Sequence, residues 1–148
     1  MDRALSILHI DDDADTRLLL RELLKEAERA RGRQLEIHWL EAAGVEEAVA
    51  RFQAAPLDAI LLDNRLGPHS GAELLPRVRR IWNCPVWILT GLCTDTLRAQ
   101  SRELGAAGVI GKDEVLHSGT DLRSFLVDRC RSSEDLPIDR AESCSGIS

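Results

Sequence analysis

The chain has 148 residues, which is the usual size of a single domain. It carries 19 Lys and Arg residues against 25 Asp and Glu residues, and the resulting formal charge of −6 argues against general binding to the phosphate backbone of nucleic acids. No apolar run reaches the ~18 residues needed to span a membrane, and the N-terminus lacks the pattern of a secretory signal. We therefore expect a cytoplasmic protein with neither a nucleic acid nor a membrane as its partner.

Strand-like and helix-like segments alternate along the chain. Short apolar runs predict the strands, and apolar residues that recur every three or four positions predict the helices between them. The predicted strands cover residues 5–10, 35–40, 57–62, 86–89 and 108–111. The predicted helices cover residues 15–31, 44–54, 74–81, 94–104 and 120–131.

This alternation predicts an α/β fold, in which a parallel sheet is covered by helices on both faces. For five strands and five helices the common solution is the flavodoxin-like, doubly wound arrangement with strand order 2-1-3-4-5. The second strand alternates between polar and apolar residues, which suits an edge position. Residues 1–131 form this domain, and residues 132–148 form an acidic, serine-containing tail that we expect to be mobile or to dock as a short arm.

Polar residues follow the predicted strands at the points where the strands end. Asp11 and Asp12 follow the first strand, and Asp63 follows the third. Thr90 follows the fourth strand and Lys112 follows the fifth. Ligands of open α/β sheets bind beyond the carboxyl ends of the strands, at the point where the strand order reverses, so these side chains should converge there.

The chemistry of this set points to phosphoryl transfer. Close carboxylates repel one another unless a cation lies between them, and Mg²⁺ prefers such oxygen ligands. A lysine adds a positive charge for an anion beside the metal, and a threonine adds a hydroxyl donor. A remaining carboxylate can then act as the nucleophile that accepts a phosphoryl group.

In order and spacing, these segments resemble the response-regulator receiver family of two-component signalling, the CheY-like domains. The matching pieces are residues 7–12, 60–63, 88–91 and 108–112, within a resemblance that covers roughly residues 4–131. The resemblance implies that Asp63 accepts a phosphoryl group from a sensor histidine kinase or a histidine phosphotransfer protein, forming an aspartyl phosphate. The chain would then be a phosphoprotein of signalling that catalyses only its own phosphotransfer and dephosphorylation, rather than an enzyme.

The resemblance also implies a role for each residue of the site. Lys112 pairs with Asp63 and then with the phosphoryl group, and Thr90 is similar to the switch hydroxyl that moves toward a phosphoryl oxygen. The backbone amides of Asn64 and Gly91 complete the phosphoryl cradle. Asp12 is implied to bind Mg²⁺ directly and Asp11 directly or through water. The full set of implied metal ligands is Asp11, Asp12, Asp63 and the backbone carbonyl of Arg65.

Three positions depart from the family pattern. Val109 stands where the family has its switch aromatic, and Gly67 stands where a proline is usual. Asp113 replaces the proline that usually follows the lysine on a cis bond. Because a cis bond without proline costs about 3–4 kcal/mol, we expect a trans Lys112–Asp113 bond and a shifted loop.

The resemblance further implies how the signal leaves the domain. We expect a stand-alone, single-domain response regulator, because few residues follow the last predicted helix. Its output would be protein–protein contact, onward phosphorelay, or a homodimer through the face formed by helix 4, strand 5 and helix 5, the family's usual dimer surface. Leu18, on the first turns of helix 1, lies where the phosphodonor docks in this family, so we expect it to contact that partner.

Two other functions remain open. In an aspartate-based phosphatase of the haloacid dehalogenase type, Asp11 would be the nucleophile, but Asp63 would be left without a role and Asp113–Glu114 would be poorly placed as the required second acidic pair. A pseudo-receiver would be a binding module that is never phosphorylated. Its usual mark is the loss of the phosphoacceptor, the lysine or the acidic pair, and the chain retains all of them.

Overall fold

The computed structural model describes residues 4–31 and 36–116. The strands in this part of the chain are β1 Ala4–Ile10, β2 Glu36–Ala42, β3 Ala59–Asp63, β4 Arg65–Leu66, β5 His69–Ser70, β6 Val86–Thr90 and β7 Gly108–Gly111. The helices are α1 Ala14–Arg31, α2 Val45–Phe52, α3 Gly71–Ile81, α4 Asp95–Glu103 and α5 Lys112–Leu116. The predicted helix 120–131 and the tail 132–148 lie outside the described residues.

The main sheet has the predicted topology. Its order is β2-β1-β3-β6-β7, and every neighbouring pair is parallel. Because β4 and β5 form a separate small hairpin, this order is the predicted 2-1-3-4-5 arrangement of the five strands in the sheet. The flavodoxin-like fold class is therefore confirmed, and β2 lies at an edge of the sheet as predicted.

Two apolar clusters cover the two faces of the sheet. One contains Leu20 and Leu24 of α1 together with Trp87 and Ile110 of the sheet. The other contains Leu75 of α3 and residues of the opposite face of the same strands. All five residues of β3 and all five of β6 are buried, which explains why these segments read as continuous apolar runs.

Three local features differ from the sequence-based prediction. The loop after Asp63 contains the β4–β5 hairpin, which the sequence analysis did not predict. Helix α3 begins at Gly71 rather than near residue 74, because Ser70 and Glu73 form a reciprocal capping box. A short helix, α5, begins at Lys112, in a segment that the sequence analysis placed between a predicted strand and a predicted helix. Asp113 and Glu114 lie in its first turn, where negative charge stabilises a helix.

Two further expectations were tested. The described residues contain no cis peptide bond, so the Lys112–Asp113 bond is trans as expected. Among the described helices, none is both long enough and apolar enough to cross a membrane.

Candidate functional site

The carboxyl ends of the central strands bring the predicted acidic residues together. Asp11, Asp12 and Asp63 each offer a carboxylate oxygen, and these three oxygens all lie within 4.8 Å of one another. Asp11 follows β1 and has an exposed fraction of 0%, while Asp63 ends β3 and is 4% exposed. Asp12 is exposed. Two of the three carboxylates are therefore buried, and the third is exposed to solvent.

Lys112 completes the charge arrangement. Its Nζ lies 3.3 Å from Oδ1 of Asp63 and 3.9 Å from Oδ2 of Asp11. Lys112 comes directly after β7, so its ammonium group reaches across the ends of the strands to the two buried carboxylates. One cation thus faces a cluster of three carboxylates, which leaves a net negative pocket.

The pKa values of the two buried carboxyl groups respond in opposite directions. Burial and the negative charge of Asp11 raise the pKa of Asp63 to about 6, and Lys112 offsets only part of this shift. Burial also raises the pKa of Asp11, but the contact with His9, the amide of Asp13 and the charge of Lys112 together place it below its ordinary value. Of these two carboxyl groups, Asp63 is therefore the one whose ionised form is stabilised less by its surroundings.

A buried histidine supports Asp11 from inside the sheet. His9 precedes Asp11 by two residues on the same face of β1, and both side chains are fully buried. Nε2 of His9 lies 3.3 Å from Oδ2 of Asp11, and the imidazole packs against Trp39 with ring centroids 5.5 Å apart. The sequence analysis did not assign His9 to the site, although its two-residue spacing from Asp11 is the signal that could have indicated it.

The backbone around Asp11 is fixed by further hydrogen bonds. The amide of Asp13 donates to Oδ1 of Asp11 at 2.9 Å, and Arg17 Nη1 donates to the Asp11 carbonyl. Nε of Arg17 also lies 3.9 Å from Oε1 of Glu41 on β2. The Asp13 amide thus orients the Asp11 carboxylate, while Arg17 holds the Asp11 backbone carbonyl, a contact that the sequence analysis did not predict.

The threonine and amide groups predicted for the cradle are close in the fold but engaged locally. Thr90 ends β6, where its hydroxyl donates to the Leu92 carbonyl at 3.1 Å and accepts from the Leu92 amide at 3.2 Å. The amide of Asn64 donates to the Leu89 carbonyl at 2.9 Å, so it extends the sheet rather than facing an empty pocket. Gly91 follows Thr90 in the loop before α4.

The remaining residues that the sequence analysis singled out lie on the hairpin, on α1 and on β7. Arg65 is exposed and starts the hairpin that follows Asp63 and Asn64. Leu18 is 48% exposed on α1. Val109, at the position of the family's switch aromatic, packs partly buried against the apolar cluster of α2 and α3.

The donor set fits Mg²⁺. Three carboxylates converge, and the buried Oδ2 of Asp11 accepts no well-aligned hydrogen bond within the described part of the chain, although His9 and Lys112 lie within 4 Å of it. The raised pKa of Asp63 shows that a further positive charge would favour its ionised form. Oxygen ligands on a partly hydrated site are those that Mg²⁺ accepts.

Comparisons with known proteins show which family the chain resembles. The model of the family described as "Response regulator receiver domain" matches residues 7–119. The Transcriptional regulatory protein YvrH of Bacillus subtilis (strain 168) is 32% identical over 131 residues, which is 87% of this chain and 52% of that protein. The chain thus spans about half the length of this curated relative.

Solved structures share the fold. A two-component response regulator from Clostridium difficile has a TM-score of 0.66 at 22% identity, covering 88% of this chain and 96% of the other. A response regulator protein from Burkholderia pseudomallei, determined with a phosphorylated aspartic acid, a calcium ion and citrate, has a TM-score of 0.64 at 19% identity and covers 97% of this chain and 75% of the other. Because the family model matches residues 7–119 and the curated relative is 32% identical, the chain belongs to the response-regulator receiver domain family.

Proposed function

We propose that this receiver domain accepts a phosphoryl group on Asp63 from a phosphohistidine of a sensor histidine kinase or a histidine phosphotransfer protein, in a Mg²⁺-dependent reaction. The observation that carries the proposal is the Asp63–Lys112 pair, 3.3 Å apart, inside a cluster of three carboxylates. The Burkholderia pseudomallei relative, whose structure was determined with a phosphorylated aspartic acid and a calcium ion, is consistent with this chemistry.

In the proposed reaction, Asp63 is the nucleophile. One of its carboxylate oxygens attacks the phosphorus, the bond between phosphorus and the histidine nitrogen breaks, and an aspartyl phosphate forms. The imidazole leaves with its electron pair and takes up a proton. Lys112 stays beside Asp63 and balances the negative charge that the phosphoryl oxygens bring.

The metal ligands in this proposal are Asp11, Asp12, Asp63 and the Arg65 carbonyl. Bound Mg²⁺ would offset the negative charge of the carboxylates and of the phosphoryl oxygens. Asp11 is held by His9 and by the Asp13 amide, so it can keep its orientation whether or not a cation is bound.

The switch residues must exchange partners. Thr90 would release the carbonyl of Leu92 and donate its hydroxyl to a phosphoryl oxygen, and the Gly91 amide would contact the same group. The Asn64 amide could join them only by leaving the carbonyl of Leu89. This exchange is a two-state change driven by the new charge, and it would move the loop before α4.

The proposed output is protein–protein contact. The domain would act on a protein partner, pass the phosphoryl group onward in a phosphorelay, or form a homodimer through the face of α4, β7 and the predicted helix 120–131. In this proposal the protein acts in the cytoplasm, and its formal charge of −6 argues against general binding to nucleic acids.

The test is the mass of the intact protein after incubation with acetyl phosphate and Mg²⁺, measured beside Asp63→Asn and Asp11→Asn. We expect one phosphoryl group on the wild type and none on Asp63→Asn. Asp95→Asn, an exposed carboxylate on α4, is the matched control and should be phosphorylated like the wild type.

Two results would change the assignment. If the wild type gained no phosphoryl group from acetyl phosphate or from a panel of phosphorylated histidine kinases, the pseudo-receiver alternative would replace this proposal. If the adduct survived in Asp63→Asn but was lost in Asp11→Asn, the aspartate-based phosphatase alternative would be favoured.

A further inference from the structure

The loop between Asp63 and α3 is folded into a hairpin whose tip touches the acidic cluster. β4 and β5 pair antiparallel, with Arg65 opposite Ser70. At the tip, the backbone N–H of Gly67 donates a 2.9 Å hydrogen bond to Oδ2 of Asp12, a residue 55 positions away in the sequence. The hairpin therefore contacts one of the three carboxylates to which we assign the metal.

The position of this amide is fixed by the fold. Leu66, the residue before it, is 6% exposed and packs into the apolar cluster of α2 and α3. At the base of the hairpin the Gly71 amide donates to the Asn64 carbonyl at 2.8 Å. Ser70 at the same base caps α3. Because both ends of the hairpin are anchored, the tip presents its amide to Asp12 from a defined direction.

The bond depends on an N–H group and a left-handed backbone at position 67. Gly67 has a φ of +62°, in the left-handed region that glycine adopts freely and asparagine tolerates. Proline is excluded there because its ring holds φ near −65°, and it has no N–H to donate. The glycine that departs from the resembled family's usual proline thus supplies both the turn and the donor.

We propose that the Gly67 amide is a positioning group of the metal site, holding one oxygen of Asp12 so that the other faces the cation. The inference rests on the proposed function, because it takes Mg²⁺ as the ligand. Asp12 is exposed, and within the described residues its carboxylate accepts no other hydrogen bond, so this amide is the contact that restrains it. A restrained ligand loses less side-chain freedom when the cation binds.

Two substitutions at the same residue separate the donor from other effects. Gly67→Asn keeps the N–H, and asparagine tolerates the left-handed backbone. Gly67→Pro removes the N–H, and proline cannot adopt this backbone. Titration calorimetry with Mg²⁺ alone on the full chain should give Gly67→Asn an affinity within about threefold of the wild type and Gly67→Pro an affinity weaker by about tenfold or more. Wild-type affinity in Gly67→Pro would overturn the inference.

A second measurement needs no metal and does not depend on the proline variant folding. Hydrogen exchange of the Gly67 amide in the Mg²⁺-free wild type should be slowed by about tenfold or more relative to an unprotected amide, and Asp12→Ala should remove this protection while the amides of β3 stay protected. Exchange that is fast in the wild type, or unchanged in Asp12→Ala, would overturn the inference.

The two proposals fail in different ways. Suppose that the wild type binds Mg²⁺ and gains a phosphoryl group on Asp63. If Gly67→Pro then binds Mg²⁺ as tightly as the wild type, or Asp12→Ala leaves exchange of the Gly67 amide unchanged, only the positioning role falls. If the wild type binds no Mg²⁺, the proposed cofactor and this inference fall together, whatever the exchange rate of the Gly67 amide.

Discussion

At the scale of single residues, the pocket is built around one carboxylate whose charge is poorly compensated. Asp63 is 4% exposed and faces Asp11 as well as Lys112, and its pKa is raised to about 6. Asp11 differs because His9, the Asp13 amide and Lys112 favour its ionised form. The surroundings thus favour the ionised form of Asp11 and disfavour that of Asp63. Added positive charge beside Asp63 would favour its ionised form.

This arrangement predicts that Asp63→Asn stabilises the protein in the absence of Mg²⁺. The pKa of Asp63 rises from 3.8 to about 6 on folding, so the stability this group contributes is complete below pH 3.8 and is lost as the pH rises through about 6. At pH 7.5 we expect the substitution to raise the free energy of unfolding by about 1–3 kcal/mol, measured by urea denaturation with EDTA present.

The pH dependence provides the control for this prediction. At pH 3.5 Asp63 is protonated in the folded state and mostly protonated in the unfolded state, so most of the difference between Asp63→Asn and the wild type should disappear. Asp95→Asn, on the exposed surface of α4, should change little at either pH. A wild type that is as stable as Asp63→Asn at pH 7.5 would contradict the assigned environment of Asp63.

At the scale of elements, the start of α3 is packed directly against the end of β3. A Cβ atom added to Gly71 would lie 2.5 Å from the carbonyl oxygen of Asp63 and 3.1 Å from Cα of Asn64. Both neighbours are backbone atoms that the sheet and the hairpin hold in place. Glycine is therefore the residue that fits at the start of α3 without displacing the backbone at the end of β3.

We predict that Gly71→Ala destabilises the protein although alanine favours helices. The helix preference would add at most about 1 kcal/mol. Displacing the backbone at the end of β3 should cost about 1–3 kcal/mol, and because it shifts Asp63 it should also slow phosphorylation by acetyl phosphate. Denaturation midpoints and initial phosphorylation rates would measure the two effects.

Gly91→Ala is the matched control for that experiment. A Cβ atom at Gly91 would meet no atom within 4 Å, and the residue does not have a positive φ. Its stability should therefore stay close to that of the wild type. If Gly71→Ala were as stable as Gly91→Ala, the close contact between α3 and β3 would not be present in solution.

At the scale of the whole molecule, an apolar surface lies on the helix that follows the acidic residues. Leu18 and Leu19 of α1 are 48% and 45% exposed, whereas Leu20 and Leu24 are buried in the core. Two adjacent exposed leucines on the helix that follows Asp11 and Asp12 offer an apolar surface for contact with a partner protein.

We predict that Leu18→Asp slows phosphotransfer from a phosphorylated histidine phosphotransfer protein by about tenfold, the equivalent of 1.4 kcal/mol of binding energy. The rate with acetyl phosphate should not change, because a small donor does not use this surface. Leu104→Asp, which changes a leucine of similar exposure at the C-terminus of α4, is the control. Equal slowing with both donors would argue against docking at Leu18.

Much of the fold and of the site could be predicted from local pattern. Apolar runs predicted the five strands of the main sheet, and the common flavodoxin-like arrangement of five such strands predicted their order. The capping pattern Ser70-x-x-Glu73 was also present and would have placed the start of α3 correctly. The strands of the β4–β5 hairpin are two residues each, too short for any periodicity to indicate them.

The sequence by itself determined which residues stand at the carboxyl ends of the strands, because burial imposes apolar runs and the interrupting polar residues mark where burial ends. It thereby determined that Asp11, Asp63 and Lys112 would meet. Only the tertiary structure decided that His9 supports Asp11 and that Gly67 holds Asp12. The reason is physical: the contact between His9 and Asp11 depends on side-chain rotamers, and the contact between Gly67 and Asp12 joins residues 55 positions apart through the backbone of a loop. No periodic pattern along the chain records either of them.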